Sequence, residues 1–205
     1  MVASVQTVVD VANLGLVRIG YKKRIGTVYD GSDAAKLILT VYAQTRDALL
    51  VDGNWEFAER NISGLLLKQA PAGGYFPPNN WNPAVNPPTD WKFEYSYPGD
   101  CLKVRAVKPV PLFTPNFDPQ PWPYSIDNDS AFNPAQRVIL SNVPNAIIVY
   151  TGQVTNPAAW DVEFVEACAT QVARRVAPAL VGMDGVKMIA ADANMEQQIA
   201  EETQE

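Results

Sequence analysis

"SDAAKLILTVYAQTRDALLVDG" (residues 32–53) decides how the rest of this chain is read. Ser32 or Asp33 can cap a helix, and Gly53 can close it. Between them Ala34, Leu37, Ile38, Val41, Thr45, Ala48 and Leu49 recur at helical spacing. A helix with one apolar stripe needs a partner, and one lies upstream. Residues 4–19 put Val5, Val8, Val9, Ala12, Leu16 and Ile19 on one face, with Gly20 as a stop. The connector "YKKRIGTVYDG" (21–31) is short, so the helices 4–20 and 32–52 are expected to pack antiparallel. Its basic run Lys22, Lys23, Arg24 is too small for a DNA site and reads as a solvated loop.

Helix returns near the end. In "TNP" Asn156 can cap and Pro157 suits the first helical position, giving a helix over 157–181 that Pro178 should kink or end. Trp160, Phe164, Cys168 and Val172 form one stripe; Val162, Val165, Ala169 and Val176 form another. A helix apolar on two faces belongs in a core or at a subunit interface.

Between the helices the texture changes. "ISGLLLKQ", "WKFEYSYP", "LKVRAVKP", "RVILSN" and "AIIVYTGQV" are short, branched or aromatic, and bounded by Pro, Gly, Asn and Asp. In "WKFEYSY" Trp91, Phe93, Tyr95 and Tyr97 alternate with Lys92, Glu94 and Ser96, which predicts a strand with an apolar and a polar face. Fourteen of the 17 prolines fall between positions 71 and 134. The expected fold class is α+β: a mainly helical bundle (two N-terminal helices plus a long C-terminal helix) with a small antiparallel β subdomain inserted over about 54–155, bearing long proline-rich loops. The expected organisation is one domain, 1–183, followed by an acidic segment, 184–205. That segment holds six acids against Lys187, or −5 of the chain's net −6. Its thin apolar stripe is Val186, Ile189, Met195 and Ile199.

The stretch "GGYFPPNNWNPAVNPPTDW" (73–91) is the least ordinary. Prolines 71, 77, 78, 83, 87 and 88 forbid a helix or a central strand. Yet Tyr75, Phe76, Trp81 and Trp91 are more aromatics than disorder usually carries. The loop therefore reads as a surface ordered against something. Its aromatics could line a small-molecule pocket or a protein interface, and the lack of obvious titratable chemistry favours the interface. Trp81 and Tyr75 are the expected anchors, while Trp91 is expected in the core.

Composition removes several classes of chemistry. Histidine is absent, so neither a Ser-His-Asp nor a Cys-His pair can be built, nor a zinc site bearing His. A net charge of −6 argues against a nucleic-acid reader. No apolar run is long enough to span a bilayer, and "MVASVQTVVD" does not read as a secretory signal. Cys101 and Cys168 lack a C-x-x-C partner and read as buried thiols of a reducing cytoplasm. Asp127, Asn128 and Asp129 in "SIDNDSAFN" have calcium-loop flavour but miss its glycine and final glutamate, and a turn explains them as well. The glycines of "GTVYDGSDAAK" lack phosphate-loop spacing. Glu56, Glu59 or Asp100 could serve a glycosidase as acid and base, against a default of surface carboxylates. No metal and no cofactor is expected.

Three stretches taken in order resemble a known family. They are "VANLGLVRIG" (11–20), "SDAAKLILTVYAQTRDALLVDGNWEFAERNISGLLL" (32–67) and "WKFEYSYPGDCLKVRAV" (91–107). The helix ending in "RIG", the Y-x-x-x-R-D-x-L-L helix running into W-x-F-A, and the Y-x-Y-P-x-D-C-L strand end are similar to the head-to-tail adaptors of short-tailed bacteriophages and prophages, the tail tubular protein A family. The resemblance implies a virion structural protein without enzymatic activity, assembled in the host cytoplasm. It implies a homo-oligomeric ring, a dodecamer on the family pattern, that joins the portal protein to the tail nozzle protein and lets DNA pass without sequence readout. On that reading Val186, Ile189, Met195 and Ile199 contact the portal. Tyr75, Phe76 and Trp81 face the tail or a neighbouring subunit, although the proline-rich loop itself departs from the family pattern. Two rivals are a tail-associated cell-wall glycosidase using paired carboxylates and a cytoplasmic binder of host proteins.

Overall fold

The computed structural model describes residues 6–75, 79–110 and 120–182. The chain divides into two compact units: residues up to 57 together with those from 154 onward, and residues 58–153.

The first unit is helical. Helix α1 (Val8–Arg18) begins at a reciprocal cap. Thr7 Oγ1 accepts from the Asp10 amide at 3.2 Å, and Asp10 Oδ2 accepts from the Thr7 amide at 2.8 Å. That cap, which the apolar spacing does not reveal, starts the helix at Val8 and not at residue 4. At the other end Gly20 adopts φ 70, the left-handed conformation that glycine takes without a Cβ clash. The Tyr21 amide then bonds the Leu16 carbonyl and the Gly20 amide the Val17 carbonyl, closing the helix with two satisfied carbonyls.

Helix α2 (Asp33–Asp52) has Ser32 as its cap and Gly53 at its end. Its buried face is rotated from the expected stripe. Ala34, Ala35, Ile38, Tyr42, Thr45, Arg46 and Leu50 are buried, while Ala48 is exposed. Tyr42 and Arg46 are not part of the expected apolar stripe. They turn inward because Tyr42 stacks on Trp160 and Arg46 pairs with its neighbour Asp47 at 2.8 Å.

Helix α3 (Val162–Leu180) packs against both α1 and α2, which explains why it is apolar on two faces. Phe164, Val165, Cys168, Ala169, Val172, Ala173, Val176 and Ala177 are all buried. Val162, assigned to the second stripe, is instead 76% exposed at the start of the helix. The Asn156 cap and Pro157 form as expected but serve a single 3-10 turn, Pro157–Ala159, ahead of the α-helix. Pro178 lies in the last turn, and the helix runs two residues past it. Where α1 meets α3 the backbones come close: a Cβ on Gly15 would lie 2.8 Å from the Ala169 carbonyl oxygen.

The second unit is all β. Strands β1 (Glu59–Ser63), β7 (Ile147–Gly152) and β4 (Cys101–Lys108) form one antiparallel sheet in the order β1-β7-β4. Strands β2 (Leu66–Gln69), β3 (Phe93–Ser96), β6 (Gln136–Ser141) and β5 (Tyr124–Asp129) form another in the order β2-β3-β6-β5. Tyr95, Val104, Val107, Ile139, Ile148 and Tyr150, drawn from both sheets, share one core. Phe93 and Tyr97 pack against it.

This corrects the expectation of a mainly helical bundle with a small β subdomain. The described residues hold three α-helices but seven strands in two sheets, with about 24% of those residues in strand. Each sheet has an apolar face that one sheet cannot bury alone, so the short segments combine into a two-sheet unit with a core of its own. The fold is α+β, with neither half subordinate.

Candidate functional site

The proline-rich loop is tied to its own sheet by side-chain hydrogen bonds. Tyr75 Oη donates to the Pro87 carbonyl at 3.0 Å, and Trp81 Nε1 donates to the same oxygen at 2.8 Å. Pro87 itself is buried. The Asn86 side chain donates to the Gln69 carbonyl at the end of β2 at 3.1 Å. Tyr75 is half-buried, and burial pushes its hydroxyl pKa up. Trp81 keeps 48% of its surface exposed, so its N–H is committed while its ring is open to water. Phe76, named with them, lies outside the described residues. So do Val186, Ile189, Met195 and Ile199.

Trp91 is not in the core strand expected of it. β3 starts at Phe93, and Trp91 stands half-buried before it. There it joins Tyr75, Asp90, Lys92, Phe93 and Asn142 around a cleft of about 450 Å³ at the base of the loop. The Lys92 amide donates to Asn142 Oδ1 at 2.8 Å, which fixes one wall of this cleft.

Beneath the loop lies a group of charged side chains that no sequence motif brought together. Lys68 on β2 and Glu94 on β3 are direct cross-strand partners. Both are buried, at 7% and 2% exposure. Lys68 Nζ forms an ion pair with Asp129 at the end of β5, and Glu94 Oε1 lies 3.7 Å from the same ammonium. The ammonium also donates to the Pro83 carbonyl of the loop at 2.8 Å and sits over the Phe132 ring, 5.8 Å from its centre. Desolvation, reinforced by the hydrogen bond with Asp129, pushes the Glu94 carboxyl up to about 7. Asp129 is held below the usual carboxylate range: burial works against this, but Lys68, the Ala131 amide and Glu94 all favour its charged form. The alternation over 91–97 puts Lys92, Glu94 and Ser96 on one face, yet Glu94 is buried while Lys92 is exposed. A lysine inside "LLLKQ" and a glutamate inside "KFEYS" were the available signals, and only the strand register joins them.

The remaining candidates fall apart into local structure. Asp127 accepts from the Asn128 amide and Asp129 Oδ1 from the Ala131 amide, the self-bonding typical of strand ends and turns. Among the described residues no group of three His, Cys, Asp or Glu is placed to hold a metal ion. Glu59 accepts from Arg105 at 3.2 Å, and Asp100 accepts from Tyr150 Oη at 2.8 Å; burial first, and then this bond, push the Tyr150 pKa up to about 12. Glu56 is exposed in the helical unit. Cys101 and Cys168 are free and buried, and burial raises both thiols, Cys168 to about 12, leaving neither poised as a nucleophile. No helix among the described residues is long and apolar enough to cross a membrane.

The chain matches no protein-family model and no curated protein sequence.

Proposed function

We propose that this protein is a head-to-tail adaptor of a short-tailed bacteriophage or prophage. It acts as a structural subunit that assembles into a ring, of about twelve copies on the family pattern, between the portal and the tail nozzle. The observation that carries the reading is the ordered set of resembling motifs, together with what their residues do in the fold. Ile19 and Gly20 of "RIG" bury and terminate α1. Tyr42, Arg46 and Leu50 of the Y-x-x-x-R-D-x-L-L helix form its buried face. In W-x-F-A, Trp55 Nε1 donates to the Leu49 carbonyl, Trp55 and Phe57 meet the edge of Phe164, and Ala58 is buried. In Y-x-Y-P-x-D-C-L, Tyr95 Oη donates to the Val143 carbonyl, Tyr97 stacks under Arg137, and Asp100 takes the Tyr150 hydroxyl.

The motifs are thus packing and capping residues spread over both units, positions at which any fold constrains its sequence. A ring subunit needs no histidine chemistry. An acidic chain would let DNA slide through a lumen, because phosphate binding needs cations to replace condensed counterions. The exposed Trp81 ring is the surface on which a tail or neighbour contact would be built, and the acidic segment 184–205 is the proposed portal contact.

Electron microscopy of the purified chain mixed with its portal protein tests the reading. A ring stacked coaxially on the portal is expected, lost on deletion of residues 184–205. A chain that neither forms a ring nor binds the portal at micromolar concentration sinks the proposal.

A further inference from the structure

The buried charges beneath the loop do not balance unless a proton is counted among them. Lys68 offers one positive charge, and two carboxyl groups, Glu94 and Asp129, stand within its reach. Glu94 Oε1 is buried and lacks a hydrogen-bond partner, with the ammonium 3.7 Å away. Asp129 Oδ2, paired with the same ammonium, is likewise buried without a hydrogen-bond partner. With both ionised, the cluster would carry a net negative charge out of contact with water, which is costly unless the structure opens. With one proton shared between them the cluster is neutral, and the ammonium is free to hold the Pro83 carbonyl.

We propose that Lys68, Glu94 and Asp129 form a proton-operated latch, which holds the proline-rich loop against its own sheet while the carboxyl pair keeps one proton and lets the loop go when that proton leaves. The geometry supplies both halves of the device. The sensing half is the carboxyl pair. The mechanical half is the bond from Lys68 Nζ to Pro83, which with the Asn86 bond to Gln69 ties the middle of the loop to β2. Every element around Glu94 fits this role. β2 presents Lys68, β5 presents Asp129, the β5–β6 turn presents the Phe132 ring, and β6 presents the apolar Leu140 as its cross-strand partner. Among the described residues, Lys68 and Asp129 are the charged groups acting on Glu94.

The working range follows from Glu94, whose carboxyl titrates near 7 in the folded chain against an ordinary value of 4.5. Below that range the loop is closed, and Tyr75 and Trp91 wall the cleft at its base. As pH rises through it, Glu94 ionises, water reaches the carboxylates, and the loop and the cleft loosen together. The latch stands independently of the adaptor reading, since it concerns the β unit of the isolated chain.

The test uses the full-length chain. A carbon-13 NMR titration of the Glu94 side chain should give a midpoint close to 7, and D129N should lower it. Hydrogen exchange of amides 79–91, corrected for intrinsic rate, should speed up about tenfold between about pH 6 and about pH 8.5. E94Q, a neutral isostere of the protonated side chain, should remove most of that change. A Glu94 midpoint below about 5 overturns the proposal. So does an E94Q loop that opens with pH as the parent does. If E94Q does not fold, the parent's own titration decides the matter.

Discussion

In the helical unit the charged side chain buried most deeply among the described residues is Arg46, and its partner is the next residue, Asp47. In the β unit it is Glu94, whose partners Lys68 and Asp129 come from two other strands. Asp47 keeps part of its surface in water, so that pair is only half withdrawn from solvent. The β-unit cluster is withdrawn almost completely. The helical unit therefore rests on apolar contact, locally closed caps and a partly exposed ion pair from Arg18 on α1 to Glu166 on α3, whereas the β unit rests partly on a buried charge balance assembled from distant segments. One consequence is where sensitivity to pH resides. Another is how each unit responds to substitution.

The largest expected effect lies in the helical unit. Phe164 is fully buried and meets the edges of Trp55, Phe57 and Trp160 with ring centroids 4.8–5.2 Å away. Phe164→Ala should cost about 3–5 kcal/mol in denaturant unfolding and show no dependence on pH between about 5 and 8. A pH-dependent loss would blur the contrast between the units.

Lys68→Met comes next. It removes the only cation of the cluster and leaves two buried carboxyls, with an expected cost of about 3 kcal/mol. Unlike the Phe164 change, this cost should grow with pH, because each carboxyl must then be buried uncompensated or protonated. An equal cost at low and high pH would show that Lys68 contributes mainly through its aliphatic stem.

Gly15→Ala should cost about 1–3 kcal/mol, since the new methyl meets the backbone of Ala169 and not a side chain that can swing away. Trp81→Ala is the smallest. It gives up one hydrogen bond from a half-exposed ring, so about 1 kcal/mol or less is expected in a melting experiment. In the adaptor reading the same change should still weaken ring or tail assembly. A large fall in melting temperature would instead make Trp81 part of the fold.

The legible part of the fold was the part written locally. Ser32 and Gly53 bracket α2, and the two apolar stripes of α3 announce an element with neighbours on both sides. Thr7 and Asp10 also form a local signal, a capping pair three residues apart, and attention to apolar spacing alone passed over it. In the β unit each of the five expected segments holds strand, but "ISGLLLKQ" splits between β1 and β2, the "SIDND" stretch weighed as a turn is strand β5, and no pairing was assigned. Whether Lys68 and Glu94 face water depends on which strand lies beside which and on what covers the face. A period-2 pattern carries neither fact. The loop's aromatics suggested a surface ordered against something, with an interface favoured. Among the described residues what ties it to its own sheet is a lysine of β2 and an asparagine of the loop, each bonding across to a backbone carbonyl, which no spacing rule encodes. Arg46 and Tyr42 were missed for a related reason: their long side chains turn a nominally polar helix face into an interior one.

The contrast between the units is tested most directly by urea unfolding of the parent chain and of E94Q across about pH 5 to 8. Glu94 has a folded pKa raised above its unfolded value, so the stability it contributes is complete below about 4.5 and is lost as pH rises through about 7. Asp129 is shifted the opposite way and loses its contribution only at acid pH, below this window. The parent should therefore fall in unfolding midpoint from pH 5 to just above pH 7 and then level off, while E94Q stays nearly level and crosses it at the alkaline end. A parent midpoint that is flat or rises over that range would contradict the account.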